Sequence, residues 1–294
     1  MERSERRILW LMAAPFVVGV SALVIVPAAG SLAMAFSEWD LVRAPRFVGL
    51  GNFRELIDDP VFRISLRNSL SFTLTAVPVR LVGALALALL LHHRSTLLAA
   101  GRVAVLIPTV IPDAAYALLW IWILNPLHGP LNLALGAAGL PTPAWLTQPT
   151  PARWGVVLMS AFQLGEGFLL ALVARRQVPD ELYEIASLSG AGRWSRFVRV
   201  TLPLMAPVLL LIAMRDTIVT LQGTFVPALV VTEGGPPPYA TTYLPLFIYR
   251  NAFEYLRYGY ASAATVATLV VTASILWLQY QLVIRWRGRF VPTP

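Results

Sequence analysis

The sequence predicts an all-α polytopic membrane protein with six transmembrane helices. Hydrophobic residues make up 57% of the 294 residues and charged residues only 13%. The mean hydropathy is +0.68, which is typical of membrane proteins. A helix needs about 20 residues to cross the ~30 Å hydrocarbon core of a bilayer. Six apolar stretches are long enough, and we place them near residues 8–36, 66–91, 101–124, 154–174, 204–227 and 260–284.

No soluble domain interrupts this pattern, so residues 1–294 are predicted to form one transmembrane domain. The first stretch is too long for a cleaved signal peptide and lacks a clean small-residue cleavage site, so we expect a retained helix. Pro15 and Pro27 are expected to kink it. Before the second stretch, Asp58, Asp59 and Pro60 form a pattern typical of a turn and a helix start.

The distribution of arginine predicts the orientation. All 23 basic residues are arginine, and the positive-inside rule counts basic residues in short loops. With the N-terminus in the cytoplasm, the regions on that side contain thirteen arginines and five acids, against eight arginines and seven acids on the other side. We therefore predict a multi-pass protein of the plasma or inner membrane, with both termini and the loop 175–203 in the cytoplasm.

Several function classes are excluded by missing residues. Without lysine the chain has no phosphate-binding loop of the GxxxxGK[ST] kind, so ATP and its magnesium ion, if used, must be bound by a partner. Without cysteine it has neither a disulfide nor a thiolate metal site. The three histidines lack a second set of ligands, no GxSxG or HExxH motif appears, and the arginines do not form a basic run suited to nucleic acid. We predict no cofactor, no metal and no enzymatic activity in this chain.

Residues 179–207 form the most polar long run between two apolar segments. A first short helix has an apolar face at helical spacing, formed by Leu182, Ile185 and Leu188. Acidic residues near its N-terminal end, Glu184 among them, favour the helix dipole there. Gly190 is expected to end this helix, and Ser189 to cap the N-terminus of a second helix that carries Trp194 on its apolar side. The pattern predicts two amphipathic helices joined at a glycine elbow.

This run resembles the cytoplasmic EAA loop of permease subunits of binding-protein-dependent ABC importers. The likeness is to the carbohydrate class typified by the maltose and glycerol-3-phosphate systems, with the MetI-like fold of type I importers. The family's glutamate, second small residue and glycine match Glu184, Ala186 and Gly190, followed by Ala191. Ile185 replaces the usual first alanine and Ser189 the usual aspartate, which removes a charge. The pieces FVGLGNF, NPLHGPLN, GGP and IYRNAF are also similar, so the resemblance extends from about residue 10 to about residue 285.

The resemblance implies that the loop 179–203 is a coupling helix that docks in a cleft of an ATPase. The residues implied to make this contact are Leu182, Glu184, Ala186, Ser189, Gly190, Ala191 and Trp194. It also implies a second homologous permease, an ATP-binding cassette ATPase dimer and an extracytoplasmic solute-binding protein. The implied function is the import of a sugar or sugar-like solute with ATP hydrolysed by the partner.

Polar residues inside the apolar stretches are candidates for the solute pathway. Charges at bilayer depth cost roughly 2.5 to 3.5 kcal/mol each, so they face a cavity or a partner. In the fifth stretch, Thr217, Thr220 and Thr224 recur at i, i+3 and i+7, with Gln222 beside them. Such a stripe is also compatible with plain helix packing.

In the fourth stretch, Gln163 and Glu166 are three residues apart and are expected to share a helix face. Resemblance favours a solute role for both groups, because these positions coincide with parts of the maltose permease that contact sugar. Hydroxyl and amide groups suit sugar hydroxyls since each can donate and accept hydrogen bonds. The predicted solute residues are Gln163, Glu166, Thr217, Thr220, Gln222 and Thr224.

An ion-coupled secondary transporter of a small polar solute is the alternative. It would explain the five charges within the apolar stretches, which are Arg80, Asp113, Glu166, Arg215 and Asp216. It would also leave the polar loop without a role, and the lack of an internal repeat disfavours it.

Overall fold

A computed structural model describes residues 3–40, 42, 44–93 and 95–287, most of which are helical. Arg43, Arg94 and Arg289, which contribute to the arginine count, lie outside these residues. The chain divides into two compact units. The first contains the described residues up to Phe62 and Ile248–Leu269, and the second contains Arg63–Phe247 and the described residues from Val270 onward.

The first unit begins with a long apolar helix that is locally irregular. Helix α1 (Arg3–Val20) continues through a π-helical turn (Ser21–Ile25) into α2 (Val26–Met34). Pro27 has no N–H to donate to the carbonyl four residues before it, so hydrogen bonding there changes its spacing. The N–H of Val26 accordingly bonds to the carbonyl of Ser21.

A short hairpin and a helix complete the first part of this unit. Strand β1 (Ser37–Glu38) pairs antiparallel with β2 (Arg46–Phe47), and α3 (Gly51–Asp58) follows. The side-chain amide of Asn52 donates to the carbonyls of Ala35 and Ser37, at 2.9 and 3.0 Å. These two bonds tie α3 to the end of the apolar helix.

Helix α4 (Pro60–Leu91) starts where the sequence predicts a helix start. One carboxylate oxygen of Asp59 accepts hydrogen bonds from the backbone N–H groups of Val61 and Phe62, at 2.7 and 3.2 Å. Aspartate is a preferred N-cap because it satisfies N–H groups that have no partner in the helix. The turn and helix start predicted at residues 58–60 are confirmed.

The remaining helices follow along the chain. They are α5 (Thr96–Val110), α6 (Asp113–Ile123), α7 (Pro130–Ala137), α8 (Pro149–Ala161), α9 (Gly165–Gln177), α10 (Asp180–Leu188), α11 (Arg193–Arg196), α12 (Leu202–Gly223), α13 (Leu244–Tyr249) and α14 (Tyr258–Arg287). Further π-helical turns cover Phe197–Thr201, Pro227–Val231 and Arg250–Glu254.

Among the described residues, four helical segments are long and apolar enough to cross a membrane. These are Ile8–Met34, Pro60–Leu91, Arg193–Gly223 and Tyr258–Trp286. The number rises to six if each of two bent pairs forms one span: α5 with α6, bent by 102°, and α8 with α9, bent by 46°. The stretches 101–124 and 154–174, each predicted as one span, are thus each divided into two helices.

A proline explains the first break, and a glycine at the second break permits close helix packing. Pro112 disfavours helical backbone at Ile111, which is extended with φ −72° and ψ 129°. At the second break, α9 starts at Gly165, where an added Cβ would lie only 2.8 Å from Cγ2 of Thr109. Glycine at this position allows α9 to approach α5 closely.

The core of the second unit fixes α9 between α4 and α12. Buried residues from these helices form one apolar cluster, including Ala84, Phe168 and Ile212. Gly167 brings α9 close to α12, since a Cβ there would lie 3.2 Å from Cγ2 of Ile212. The polar groups on α4, α9 and α12 are therefore held by closely packed helices.

Candidate functional site

A cavity of about 120 Å³ lies where three apolar segments are interrupted. Asp113 is the first residue of α6 after the 102° bend, Gln163 lies in the break between α8 and α9, and Thr224 directly follows α12. Irregular backbone at membrane depth is tolerated where it lines a cavity or is buried in protein. The polar lining residues are Arg80, Asp113, Ser160, Gln163, Thr220 and Thr224.

Three of the residues predicted for the solute pathway line this cavity: Gln163, Thr220 and Thr224. The hydroxyl of Thr220 accepts a hydrogen bond from a terminal nitrogen of Arg80. The hydroxyl of Thr224 donates to the carbonyl of Thr220 at 3.1 Å. The lining therefore offers hydroxyl, amide, guanidinium and carboxylate groups to a polar solute.

Thr217 and Gln222 lie elsewhere on α12. The buried hydroxyl of Thr217 accepts a hydrogen bond from Nε2 of Gln279 in α14, at 2.7 Å, and donates to the carbonyl of Ala213 at 2.8 Å. Seven helical residues separate Thr217 from Thr224, which corresponds to about 10 Å along the axis. Thr217 is not among the residues that line the cavity. Gln222 is exposed.

Glu166 belongs to a network of charges. Its carboxylate forms an ion pair with Nη2 of Arg215, whose Nη1 lies 3.2 Å from Oδ1 of Asp216. The other carboxylate oxygen of Asp216 lies 3.3 Å from Nε of Arg80, and this contact is an ion pair without hydrogen-bond geometry. Two guanidinium groups and two carboxylates thus alternate and balance one another.

The expectation that Gln163 and Glu166 share a helix face is wrong. The helix is interrupted between them at Phe162–Leu164, so the i, i+3 rule does not apply. Gln163 lines the cavity, while the carboxylate of Glu166 reaches Arg215. Arg80 connects the network to the cavity, because it lines the cavity and contacts Asp216.

A second candidate site is the elbow between α10 and α11. The N–H of Gly190 bonds to the carbonyl of Ser187 at 3.0 Å, and the N–H of Ala191 bonds to the carbonyl of Ala186 at 2.9 Å. This pair of bonds is a Schellman motif, which requires a left-handed residue just after the helix. Gly190 supplies it, with φ +75°. The predicted helix end at this glycine is confirmed.

The predicted capping role of Ser189 is wrong. Its hydroxyl donates to the carbonyl of Ile185 in the preceding helix, at 3.0 Å, and Gly192 is the N-cap of α11. Serine next to a helix end can bond back to the carbonyl four residues earlier. Two residues separate Ser189 from the N-cap, because the Schellman turn occupies them.

The elbow exposes apolar side chains. The exposed fraction is 89% for Leu188 and 75% for Trp194, and it is also substantial for Leu182 and Ile185. The carboxylate of Glu184 is exposed nearby, and Ala186 and Ala191 are half-buried. Exposed apolar groups rimmed by polar ones are typical of protein interaction surfaces. We name the exposed residues Leu182, Glu184, Ile185, Leu188 and Trp194 the elbow surface.

The elbow is joined to the cavity by continuous helix. Helix α11 runs through the π-helical turn into α12, and the resulting segment Arg193–Gly223 ends beside the cavity. The hydroxyl groups of Tyr183 and Thr201 are hydrogen-bonded at 2.7 Å, and Nη1 of Arg196 donates to Oγ of Ser187 at 2.8 Å. These bonds hold α10 against the start of that segment.

Ser160, Asp113 and Arg80 are cavity residues that the sequence alone does not place in the solute pathway. Both Ser160 and Asp113 line the cavity. Pro112 directly before Asp113 was the available signal, since a proline disfavours helical backbone in the residue before it. Ser160 had no comparable signal, because a serine in an apolar helix more often bonds back to its own backbone, as it does to Val157 at 2.8 Å.

Several apolar spans, a polar cavity at their interruptions and an exposed elbow joined to that cavity define a membrane transport permease. Residues 85–288 match the family described as the binding-protein-dependent transport system inner membrane component, and this chain belongs to that family. It is therefore a membrane-spanning permease of an ABC importer, a transport component rather than an enzyme, as the sequence predicted.

Relatives match over nearly the whole chain. A probable ABC transporter permease protein, YesP of Bacillus subtilis, is 32% identical, with 92% of this chain and 89% of that protein covered. The trehalose/maltose transport system permease protein MalF of Thermococcus litoralis is 31% identical, with 92% and 91% covered. Among solved structures, a bacterial alginate ABC transporter in complex with an alginate pentasaccharide-bound periplasmic protein matches with a TM-score of 0.82 at 24% identity, covering 98% of both chains. That structural likeness supports the MetI-like all-α fold.

Proposed function

We propose that this chain forms the solute pathway of an importer for a sugar or sugar-like solute. Several relatives carry names that refer to such solutes, including trehalose/maltose, lactose and sulfoquinovosyl glycerol transport systems. The cavity carries the proposal, because Gln163 in the break between α8 and α9 lines it together with Thr220 and Thr224 at the end of α12. Groups that both donate and accept hydrogen bonds suit the hydroxyls of a sugar.

The cavity is too small for a complete sugar site. Its volume of about 120 Å³ is below the roughly 300 Å³ at which ligand pockets usually begin. We infer that a second, homologous permease supplies the facing half. The solute would then be bound between two chains, with an extracytoplasmic solute-binding protein delivering it.

The elbow surface is proposed as the contact with an ATP-binding cassette ATPase, which binds ATP and magnesium. Leu182, Glu184, Ala186, Ser189, Gly190, Ala191 and Trp194 are the proposed contact or positioning residues. ATP binding would draw two ATPase subunits together, and each would carry one elbow with it. Because α11 continues into α12, the motion reaches the cavity as a rigid tilt. We place both termini and this loop in the cytoplasm, in agreement with the arginine distribution.

Replacing Gln163 with alanine tests the solute role. The loss of a hydrogen bond to the solute is expected to cost about 0.5 to 1.5 kcal/mol, which corresponds to a KM for uptake raised about two- to twelvefold. Uptake of a radiolabelled sugar panel into proteoliposomes that contain the assembled importer measures this. Gln177→Ala is the matched control, because Gln177 is an exposed residue at the opposite end of α9.

An equal KM for Gln163→Ala and Gln177→Ala would remove Gln163 from the pathway. ATP-independent uptake by this chain alone, driven by an ion gradient, would instead favour the secondary transporter.

A further inference from the structure

A second pocket of about 240 Å³ lies beside the cavity, farther from the elbow. On α4 it uses residues from Arg67 to Thr75, whereas the cavity uses Phe72 and Arg80. On α8 it uses residues from Thr150 to Val157, whereas the cavity uses residues from Val156 to Ser160. Phe72 lines both. A solute moving along α4 and α8 toward the elbow end would reach this pocket first.

The charged side chains that line this pocket give it a positive charge. Among the described residues that line it, the charged ones are Arg67 and Arg153, both basic. Nε of Arg153 donates to the carbonyl of Ala240 at 3.1 Å, which orients the guanidinium and leaves its terminal nitrogens as donors. Burial raises the pKa of the Tyr243 hydroxyl, another lining group, so this tyrosine adds no negative charge at neutral pH.

The pocket also has a fixed aromatic wall. The rings of Phe72 and Tyr243 lie 5.2 Å apart between centroids, and Trp154 lines the pocket with them. Nδ2 of Asn68 donates to the carbonyls of Tyr239 and Thr242, at 2.8 and 3.0 Å, so the loop that carries Tyr243 is held on α4. Flat aromatic rings provide an apolar surface for the apolar face of a sugar ring.

We infer that this pocket is a binding site for a sugar that carries an anionic group, such as the carboxylate of a uronic acid. Arginine recognises carboxylate or phosphate oxygens with paired hydrogen bonds, and two arginines without a lining acid favour an anion over a neutral hydroxyl. The aromatic wall accommodates the ring that bears the anion. The inference rests on the proposed function. At about 240 Å³ this pocket, like the cavity, is below the usual volume of a ligand pocket, so the facing permease would complete it as well. The site would select among sugars before they reach the cavity.

The test compares D-glucuronate with D-glucose as probes. Saturation-transfer NMR measures the affinity of each for the purified importer in nanodiscs. We expect glucuronate to bind the wild type at least about tenfold more tightly than glucose, as charge-assisted hydrogen bonds are worth about 1.5 to 3 kcal/mol. The double variant Arg67→Gln with Arg153→Gln is expected to lose this preference while its affinity for glucose stays the same. Both side chains are exposed, so the variant should assemble normally.

Arg54→Gln is the matched control, because it removes an exposed arginine of α3 outside the pocket. Equal affinities in the wild type would overturn the inference, as would a preference that survives in the double variant or disappears in Arg54→Gln. A double variant that weakens only the docking of a solute-binding protein would also overturn it. The proposed function fails separately, if the wild-type importer shows no ATP-dependent uptake of neutral or acidic sugars.

Discussion

Asp216 is the carboxylate that contacts two arginines in the interior of the second unit, and its replacement by asparagine is expected to destabilise the protein strongly. Its two oxygens lie 3.3 Å from Nε of Arg80 and 3.2 Å from Nη1 of Arg215. Arg80 and Asp216 are only 7% and 6% exposed. Asparagine keeps the shape of the side chain but removes the charge.

The expected loss of stability in Asp216→Asn follows from the partners that each arginine keeps. After Asp216→Asn, Arg215 retains Glu166. The hydrogen bonds that Arg80 makes within the described residues are with neutral groups, the hydroxyl of Thr220 and the carbonyl at 216. Leaving a buried charge without its partner costs about 3 to 5 kcal/mol. An exposed pair offers the comparison: Nη2 of Arg257 lies 2.6 Å from Oε1 of Glu55, with the two side chains 43% and 52% exposed. Glu55→Gln should cost only about 0 to 1 kcal/mol.

Unfolding of the purified protein in lipid nanodiscs, followed by tryptophan fluorescence, compares the two variants. The combined variant Arg80→Met with Asp216→Leu is expected to recover much of the loss, since it removes both charges and leaves none unpaired. If Asp216→Asn is no more destabilising than Glu55→Gln, the charge network does not stabilise the interior of the second unit.

Two further predictions concern packing and pH. Gly165→Val should cost about 1 to 3 kcal/mol, because its Cβ would lie 2.8 Å from Cγ2 of Thr109 and 3.1 Å from the carbonyl oxygen of Val105. Thr109→Ala in the same chain should restore part of the stability, since it removes the nearer contact. An unchanged Tm for Gly165→Val would contradict this clash. Burial lowers the pKa of His92 below its ordinary value of 6.5. The unfolded chain therefore binds more protons than the folded one as the pH falls through that value. The stability of the wild type should fall below about pH 6.5, and the stability of His92→Gln should fall less steeply. Identical pH profiles of stability in the two proteins would show that His92 does not cause this fall.

The fold class was predictable because a bilayer imposes a length and a composition on each span. The elbow was largely predictable as well, since an apolar face, a glycine and a second amphipathic run follow one another directly in the chain. The helix end at Gly190 was predictable because the left-handed backbone there, with φ +75°, favours glycine. The role of Ser189 was missed because the Schellman turn separates it from the next helix.

The cavity was only partly predictable. Its members come from separate segments, and sequence spacing relates residues only within one unbroken helix. Gln163, Thr220 and Thr224 were identified, but the break at Phe162–Leu164 turns Glu166 toward Arg215. The partner of Thr217 is Gln279, 62 residues later in the chain, and no local pattern indicates that contact.

We propose that the elbow transmits ATP hydrolysis to the solute pathway, and two glycines of the same elbow test this proposal. Gly190 is left-handed with φ +75°, whereas Gly192 is an N-cap with φ −67°, a position that aspartate favours. An added Cβ meets nothing within 4 Å of either glycine, so intrachain crowding does not distinguish them. ATP-driven uptake into proteoliposomes should be largely lost in Gly190→Asp and largely retained in Gly192→Asp, with both chains present in the membrane at wild-type amounts. Wild-type uptake by Gly190→Asp would contradict the coupling role of the elbow.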